Sequence, residues 1–334
     1  MNASPDPTRH DTPPPPAPFD VLVTAAHWAE AAQDMVREAG GRVHCMAGPV
    51  TEDTLAEQLA ATDAQALVLR GSPPVTERVL AAAPALRIVA KNGAGVDSVD
   101  REAARRRGVA VAVAPGANAD AVAEHALALM LALTRQLPEL DRRVRAGGWA
   151  GSQWQGRDFR GSTVGIVGYG SIGRATARLA AALGAQVLVL RPPGQADGFA
   201  TEPDLDRLLA RVDILSLHCP LTERTRGLIG ARELGLMRPG SLLVNTARGP
   251  VVQEDALIAA LHGGQLAGAG LDTFDTEPLP ERHPLTKLPQ VLLTPHVAGV
   301  TRDAALRVAT LTARNILDHL RGHALPAGHL LADG

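Results

Sequence analysis

The sequence predicts an α/β protein with parallel sheets in two consecutive blocks. Short apolar runs alternate with stretches of helical periodicity, first from Phe19 to Val113 and again from Thr163 onward. Apolar runs of that length, bounded by breakers, read as buried strands, and their alternation with helices is the pattern of a parallel sheet. A glycine-rich turn at 168–173 joins one apolar run directly to a helical stretch.

In the first block, strands are expected at Phe19–Val23, Val43–Met46, Ala66–Leu69, Arg87–Ala90 and Val109–Val113. Helices are expected at Glu30–Ala39, Glu52–Ala61 and Val75–Ala83. An Ala- and Leu-rich segment, Ala119–Ala146, reads as a long helix broken or kinked near Pro138, because proline removes a helical hydrogen bond and clashes with the preceding turn. A loop, GGWAGSQWQGRDFRG, follows. The second block predicts strands Val164–Val167, Val187–Leu190, Ile214–Leu217, Ser241–Val244, Gly268–Leu271 and Val291–Leu293. Its helices are expected at Ile172–Leu183, Leu205–Ala210, Ala231–Leu236 and Gln253–Leu261, with a final helix at Arg302–Leu320. No internal sequence repeat is visible.

Composition narrows the function classes. The 334 residues are 46% hydrophobic and 20% charged, with a formal net charge of −2, so nothing recommends nucleic acid or an anionic membrane as a partner. Aromatic residues are only 2%, too few for a base-stacking platform. No apolar run approaches the ~20 residues that span a bilayer. Residues 1–18 are polar and Pro-rich, with no apolar core of a secretory signal, and read as a disordered or polyproline-like tail. Cys45 and Cys219 have no metal-ligand spacing and suit reduced thiols in the cytoplasm; no metal is expected.

The stretch TVGIVGYGSIGRA carries G-x-G-x-x-G at Gly168, Tyr169, Gly170, Ser171, Ile172 and Gly173. Between a strand and a helix this spacing is a dinucleotide fingerprint. The first glycine permits the turn, the second lets backbone approach a pyrophosphate, and the third lets helix and strand pack closely. The helix N-terminus offers free N–H groups to phosphate. NAD-type sites place an acid at the end of the next strand, on the ribose hydroxyls. Here QVLVLRPP puts Arg191 there. A guanidinium can pair with a 2′-phosphate or stack on adenine, so NADP is the expected cofactor and NAD the alternative. A solvated strand-end arginine is the plainer reading.

Three stretches just past apolar strands carry polar groups: Arg248 in NTARGPVV, Asp272 and Glu277 in LDTFDTEPLP, and His296 in TPHVAG. In open α/β sheets those strand ends line the ligand crevice. Singly, Arg248 reads equally as a surface ion-pair partner, His296 as a satisfied histidine and Glu277 as turn chemistry. Together they fit reduction of a 2-keto acid. A cationic imidazole delivers a proton to the carbonyl oxygen, a nearby carboxylate favours the charged ring, and a planar guanidinium clamps carboxylate and keto oxygens.

NGAGVDSVD, VAEHALALMLALTR, VGIVGYGSIGR, LHCPLTERTRGLIG, NTARGPVV, LDTFDTEPLP and TPHVAG together resemble the D-isomer-specific 2-hydroxyacid dehydrogenase family, over about residues 20 to 325. The resemblance implies two Rossmann-like domains with a cleft between them. The substrate domain would be residues 19–115 with 298–334, flavodoxin-like, and 116–297 would bind the dinucleotide, with hinges near Pro115 and Pro295–Ala298. It implies Arg248, Glu277 and His296 as the catalytic set. Ala94 and Gly95 would receive the substrate carboxylate beside Arg248 and His296. Arg191, His218, Cys219, Pro220, Thr246, Ala247, Asp272 and His296 would join the fingerprint at the cofactor, Asp272 holding the nicotinamide carboxamide. Lys91 and Asn92 would touch the distal end of the substrate or merely cap a strand. His125, on an apolar helix, reads as a satisfied core or interface histidine.

The function implied is hydride transfer between NAD(P)H and a small 2-keto acid or D-2-hydroxy acid, as in glyoxylate or hydroxypyruvate reductases, by a cytoplasmic homodimer whose interface includes the long helix. A 3-phosphoglycerate dehydrogenase is the alternative enzyme, although few residues follow His296 compared with that enzyme's long forms. A nucleotide-sensing co-repressor-like scaffold is the non-enzyme alternative.

Overall fold

The computed structural model describes residues 18–71, 73–93 and 95–331. Nearly all of the Pro-rich tail, and Ala94, lie outside the described residues. The rest form two compact units. One runs to Ala114 and resumes at Leu306; the other is Pro115–Ala305. Residues 298–305, expected with the first unit, therefore stay with the second. Within that stretch Gly299 packs against Asn118 and Val122 of the second unit, where a Cβ would sit 2.5 Å from Asn118 Nδ2.

The first unit has strands β1 (Phe19–Val23), β2 (Gly41–Cys45), β3 (Ala66–Leu69), β4 (Ile88–Lys91) and β5 (Ala110–Ala112), interleaved with helices α1 (Glu30–Glu38), α2 (Glu52–Thr62), α3 (Glu77–Ala81) and α4 (Arg101–Arg106). The strands pair in parallel in the order β2-β1-β3-β4-β5, a flavodoxin-like order. The period of two explains the continuous apolar runs. Leu22, Leu67 and Val89 face α2, α3 and α4, while Val21, Val23, Ala66, Val68 and Ile88 face α1 and the C-terminal helix Arg302–Leu320.

The second unit holds α5 (Ala119–Thr134), α6 (Leu137–Arg145), β6 (Thr163–Val167), α7 (Ser171–Ala182), β7 (Gln186–Leu190), β8 (Ala200–Glu202), α8 (Leu205–Leu209), β9 (Ile214–Leu217), α9 (Ala231–Leu236), β10 (Ser241–Asn245), α10 (Glu254–His262), β11 (Leu266–Leu271) and β12 (Val291–Leu293). The parallel sheet runs β12-β11-β10-β9-β6-β7-β8. Strand order reverses between β6 and β9, the switch point at which a doubly wound sheet opens a crevice beyond its carboxyl ends. α5 and α7 cover one face with Ala126, Leu129, Met130, Leu133, Ala177 and Ala180.

Three expectations change. The helix expected at Val75–Ala83 shortens to α3, because Val75 instead pairs with Val99 in an isolated parallel bridge and Thr76 caps the helix through the Val79 amide. α4, unassigned from its polar REAARRR neighbourhood, starts where Asp100 Oδ1 accepts from the Ala103 amide at 2.9 Å. β8, also unassigned, is a three-residue edge strand. The segment Ala119–Ala146 is broken near Pro138, as expected, into two helices. The break falls at Gln136, which is left-handed with φ 51°, and Pro138 sits in the first turn of α6, where its missing N–H costs nothing.

Candidate active site

The fingerprint turn is shaped by backbone contact. Gly168 has φ 96°, and a Cβ there would lie 2.4 Å from both the His218 carbonyl carbon and the Cys219 nitrogen. A Cβ on Gly173 would lie 2.1 Å from the Gly168 oxygen. These two positions admit only glycine, and they press the turn after β6 against the segment after β9. A Cβ on Gly170 would meet nothing within 4 Å, so backbone there is open to a ligand. Gly170 also precedes α7 without a side-chain cap, and the first turn of α7 contains no acid. A twelve-residue helix thus presents free N–H groups and the positive end of its dipole at the switch point.

Around the turn, the expected contacts divide. Arg191 is half-buried at the end of β7, and its Nη2 donates to the Tyr169 carbonyl at 3.4 Å, which sets the guanidinium beside the glycine turn. The Tyr169 side chain points into the protein instead. It is 3% exposed, its hydroxyl lies 3.1 Å from Ala196 O and Asp197 Oδ2, and Arg174 stacks 4.8 Å over its ring. Burial and the Asp197 carboxylate raise the phenol above its usual range. Cys219, Thr246 and Ala247 are buried, whereas Pro220 is exposed. His218 Nε2 pairs with Ser216 Oγ at 2.9 Å, while its Nδ1 and Thr246 Oγ1 are buried without a partner. Burial pushes the His218 ring down to about 4. The open backbone at Gly170, the uncapped α7 and these two orphaned atoms are a donor and acceptor set that fits a dinucleotide.

The polar groups past β10, β11 and β12 come next. His296 Nδ1 and Glu277 Oε2 are 2.8 Å apart, both half-exposed. Glu277 Oε1 accepts from the Phe274 amide at 3.0 Å, which fixes the carboxylate from the other side. With Nδ1 committed to Glu277, Nε2 is the histidine nitrogen left for a substrate oxygen. Arg248 follows β10, and its Nη1 donates to the Ala247 carbonyl at 2.7 Å. Asn245, buried at the end of β10, braces that loop twice: Nδ2 donates to Arg248 O at 2.8 Å and Oδ1 accepts from the Ala247 amide at 3.0 Å. Gly249 then brings the loop against the segment carrying Glu277, since a Cβ there would sit 2.1 Å from the Phe274 carbonyl carbon.

Asp272 is 1% exposed. Its Oδ1 accepts from Thr294 Oγ1 at 2.6 Å and Val297 N at 2.9 Å, and its Oδ2 from Ala298 N at 2.8 Å. A carboxylate offers about four acceptor directions, so one is left. His125 on α5 reaches Thr294 Oγ1 at 3.0 Å, the satisfied histidine expected from the sequence.

Gly95 lies in the first unit, in the loop after β4. In the same unit Asn92 Oδ1 accepts from Trp28 Nε1 at 3.1 Å, and Lys91 Nζ donates to the Gly71 carbonyl. The sequence reading missed Asn245, Gly249 and Thr294. Each lies in or beside a singled-out motif; Asn245 bonds to residues two and three positions on, whereas Gly249 and Thr294 meet other loops. Among the described residues no cluster of His, Cys, Asp or Glu could hold a metal ion, and no helix is long and apolar enough to cross a membrane.

Residues 127–298 match the model of the D-isomer specific 2-hydroxyacid dehydrogenase NAD binding domain. The chain is 40% identical over 275 residues to a glyoxylate reductase of Thermofilum pendens, covering 79% of this chain and 81% of that one. It is 44% identical over 283 residues to a D-3-phosphoglycerate dehydrogenase of Mycobacterium bovis, covering 84% of this chain and 53% of the relative, so it spans about half of that protein's length. A crystal structure of a glyoxylate reductase from Paecilomyes thermophila superposes with a TM-score of 0.83 at 29% identity, over 94% of this chain and 98% of that one. On the family model and these identities, the chain belongs to the D-isomer specific 2-hydroxyacid dehydrogenase family.

Proposed function

We propose that the protein reduces small 2-keto acids, of the glyoxylate and hydroxypyruvate kind, with a nicotinamide cofactor, and oxidises the matching D-2-hydroxy acids in reverse. The observation that carries this reading is the His296–Glu277 pair at 2.8 Å, on loops past the carboxyl ends of β12 and β11 in the sheet that bears the dinucleotide turn. When bound, the cofactor supplies or accepts the hydride at the carbonyl carbon. His296 holds a proton at Nε2 for the carbonyl oxygen, with Glu277 fixing the ring through Nδ1. Arg248 offers a planar fork to the carboxylate and keto oxygens, on a loop held by Asn245. Oxidation of a 3-phosphoglycerate is a second reading, favoured by the 44% identity to an enzyme of that name. The test is initial-rate consumption of NADPH and NADH with a panel of 2-keto acids, with 3-phosphoglycerate and NAD as a separate arm. Turnover of a short 2-keto acid supports the first reading, turnover of 3-phosphoglycerate alone supports the second, and turnover of neither removes both.

For the cofactor we infer NADP. Arg191 stands where an acid would repel a 2′-phosphate, and its contact with Tyr169 O supports a position beside the turn. Charge-assisted hydrogen bonds contribute ~1.5–3 kcal/mol, or roughly tenfold to a hundredfold in kcat/KM for NADPH over NADH. Arg191→Asp should reverse that order. Equal use of both cofactors, unchanged by the substitution, would return Arg191 to a solvated strand end.

For assembly we infer a homodimer. Leu137 and Val144 of α6 are each 53% exposed and Trp149 is 81% exposed, an apolar surface of the kind that a two-fold contact buries.

A further inference from the structure

We propose that Asp272, Thr294 and His125 are positioning residues that hold His296 in its proton-transfer pose; the proposal rests on the reading of His296 given above. His296 has φ 55°, a left-handed conformation that a residue with a Cβ adopts only when its surroundings impose it. The imposing group is the Asp272 carboxylate. It accepts from Thr294 Oγ1, two residues before His296, at 2.6 Å, and from the amides of Val297 and Ala298, the two residues after it, at 2.9 and 2.8 Å. One buried anion therefore grips the chain on both sides of the histidine. The His296 amide adds a 3.0 Å bond to the Thr294 carbonyl, which closes the turn from within.

His125 completes the set from α5. The single hydroxyl hydrogen of Thr294 is used on Asp272, so the 3.0 Å contact between His125 Nε2 and Thr294 Oγ1 requires His125 to donate. The imidazole thereby fixes the Thr294 rotamer that faces the carboxylate. His125 has no direct contact with His296. Its effect passes through Thr294 and Asp272, and it links the rigid sixteen-residue α5 to the reacting end of the site.

The test uses Thr294→Val, Thr294→Ser and His125→Leu in the full chain. Each is measured for kcat with the best 2-keto acid, for the NADPH dissociation constant, and for amide exchange at Val297 and Ala298. A misplacement near 1 Å lowers rates by about a hundredfold. Thr294→Val should therefore lower kcat by roughly tenfold to a hundredfold while the dissociation constant stays within about twofold. Thr294→Ser, which restores the hydroxyl, should recover most of the rate. His125→Leu should fall between these two and serves if Thr294→Val does not fold. Both Thr294→Val and His125→Leu should speed amide exchange at Val297 and Ala298. Wild-type kcat in Thr294→Val and His125→Leu overturns the proposal, as does a loss that Thr294→Ser fails to restore. A wild-type chain that turns over no 2-keto acid overturns the proposed function instead. Amide exchange then decides the positioning set, and unchanged exchange in both variants overturns it.

Discussion

His218 shows how a single side chain beside the glycine turn carries a cost of burial. It is half-buried, its Nδ1 is buried without a partner, and burial holds the ring at about 4, below the ordinary 6.5. Between those values the unfolded chain binds a proton that the folded chain refuses, so stability rises with pH across the window and is lost as pH falls from 6.5 toward 4. We expect the melting temperature to drop over that interval and His218→Asn to flatten the slope, the difference amounting to ~1–3 kcal/mol. Thermal melts of both proteins at several pH values check this; parallel slopes would show that the ring contributes nothing. The sequence marked His218 through the resemblance of its stretch, LHCPLTERTRGLIG, to a family segment close to the cofactor. Motif residues such as Gly168, Gly173, Glu277 and His296 were legible because their chemistry is local to a strand end. Thr294 was not, because what it does depends on a carboxylate brought to it by folding, and Asn245 was not, because its bonds to residues two and three positions on need the turn after β10.

Among the elements, β10, β11 and β12 carry the residues of the proposed site, and Gly249 brings the loops after β10 and β11 together. A Cβ at Gly249 would lie 2.1 Å from the Phe274 carbonyl carbon and 2.5 Å from the Asp275 nitrogen, both backbone atoms that cannot rotate away. Gly249→Ala should therefore push the Arg248 loop off the Glu277 loop. Overpacking of this kind costs ~1–3 kcal/mol, and kcat/KM should fall although every catalytic side chain remains. Denaturant midpoints and steady-state kinetics on the variant measure both; unchanged values would mean that the two loops are not coupled. Most strands were legible because both faces are buried, so their apolar runs are continuous, as in FDVLV of β1 and ILSL of β9. Helix ends were less legible. Nothing in the sequence around Gln136 announces its left-handed turn, and Val75 leaves its expected helix for a bridge to the distant Val99.

At the scale of the whole molecule, the two parallel sheets and the family membership frame two expectations. If α6 and Trp149 form a two-fold contact, Leu137→Glu with Val144→Glu should yield a monomer by sedimentation velocity, whereas the unaltered chain sediments as a dimer. A monomeric wild type would remove the homodimer. The central claim is that the His296–Glu277 pair performs proton transfer for cofactor-dependent 2-keto acid reduction. The most direct measurement compares wild type and His296→Gln for kcat with NADPH and the best substrate of the panel, together with the NADPH dissociation constant of each. Losing a positioned general acid costs ~10²–10⁴-fold. We therefore expect kcat to fall by that factor while cofactor binding stays within about twofold, because the phosphate-binding turn lies on other loops. A His296→Gln protein that keeps wild-type kcat would contradict the claim.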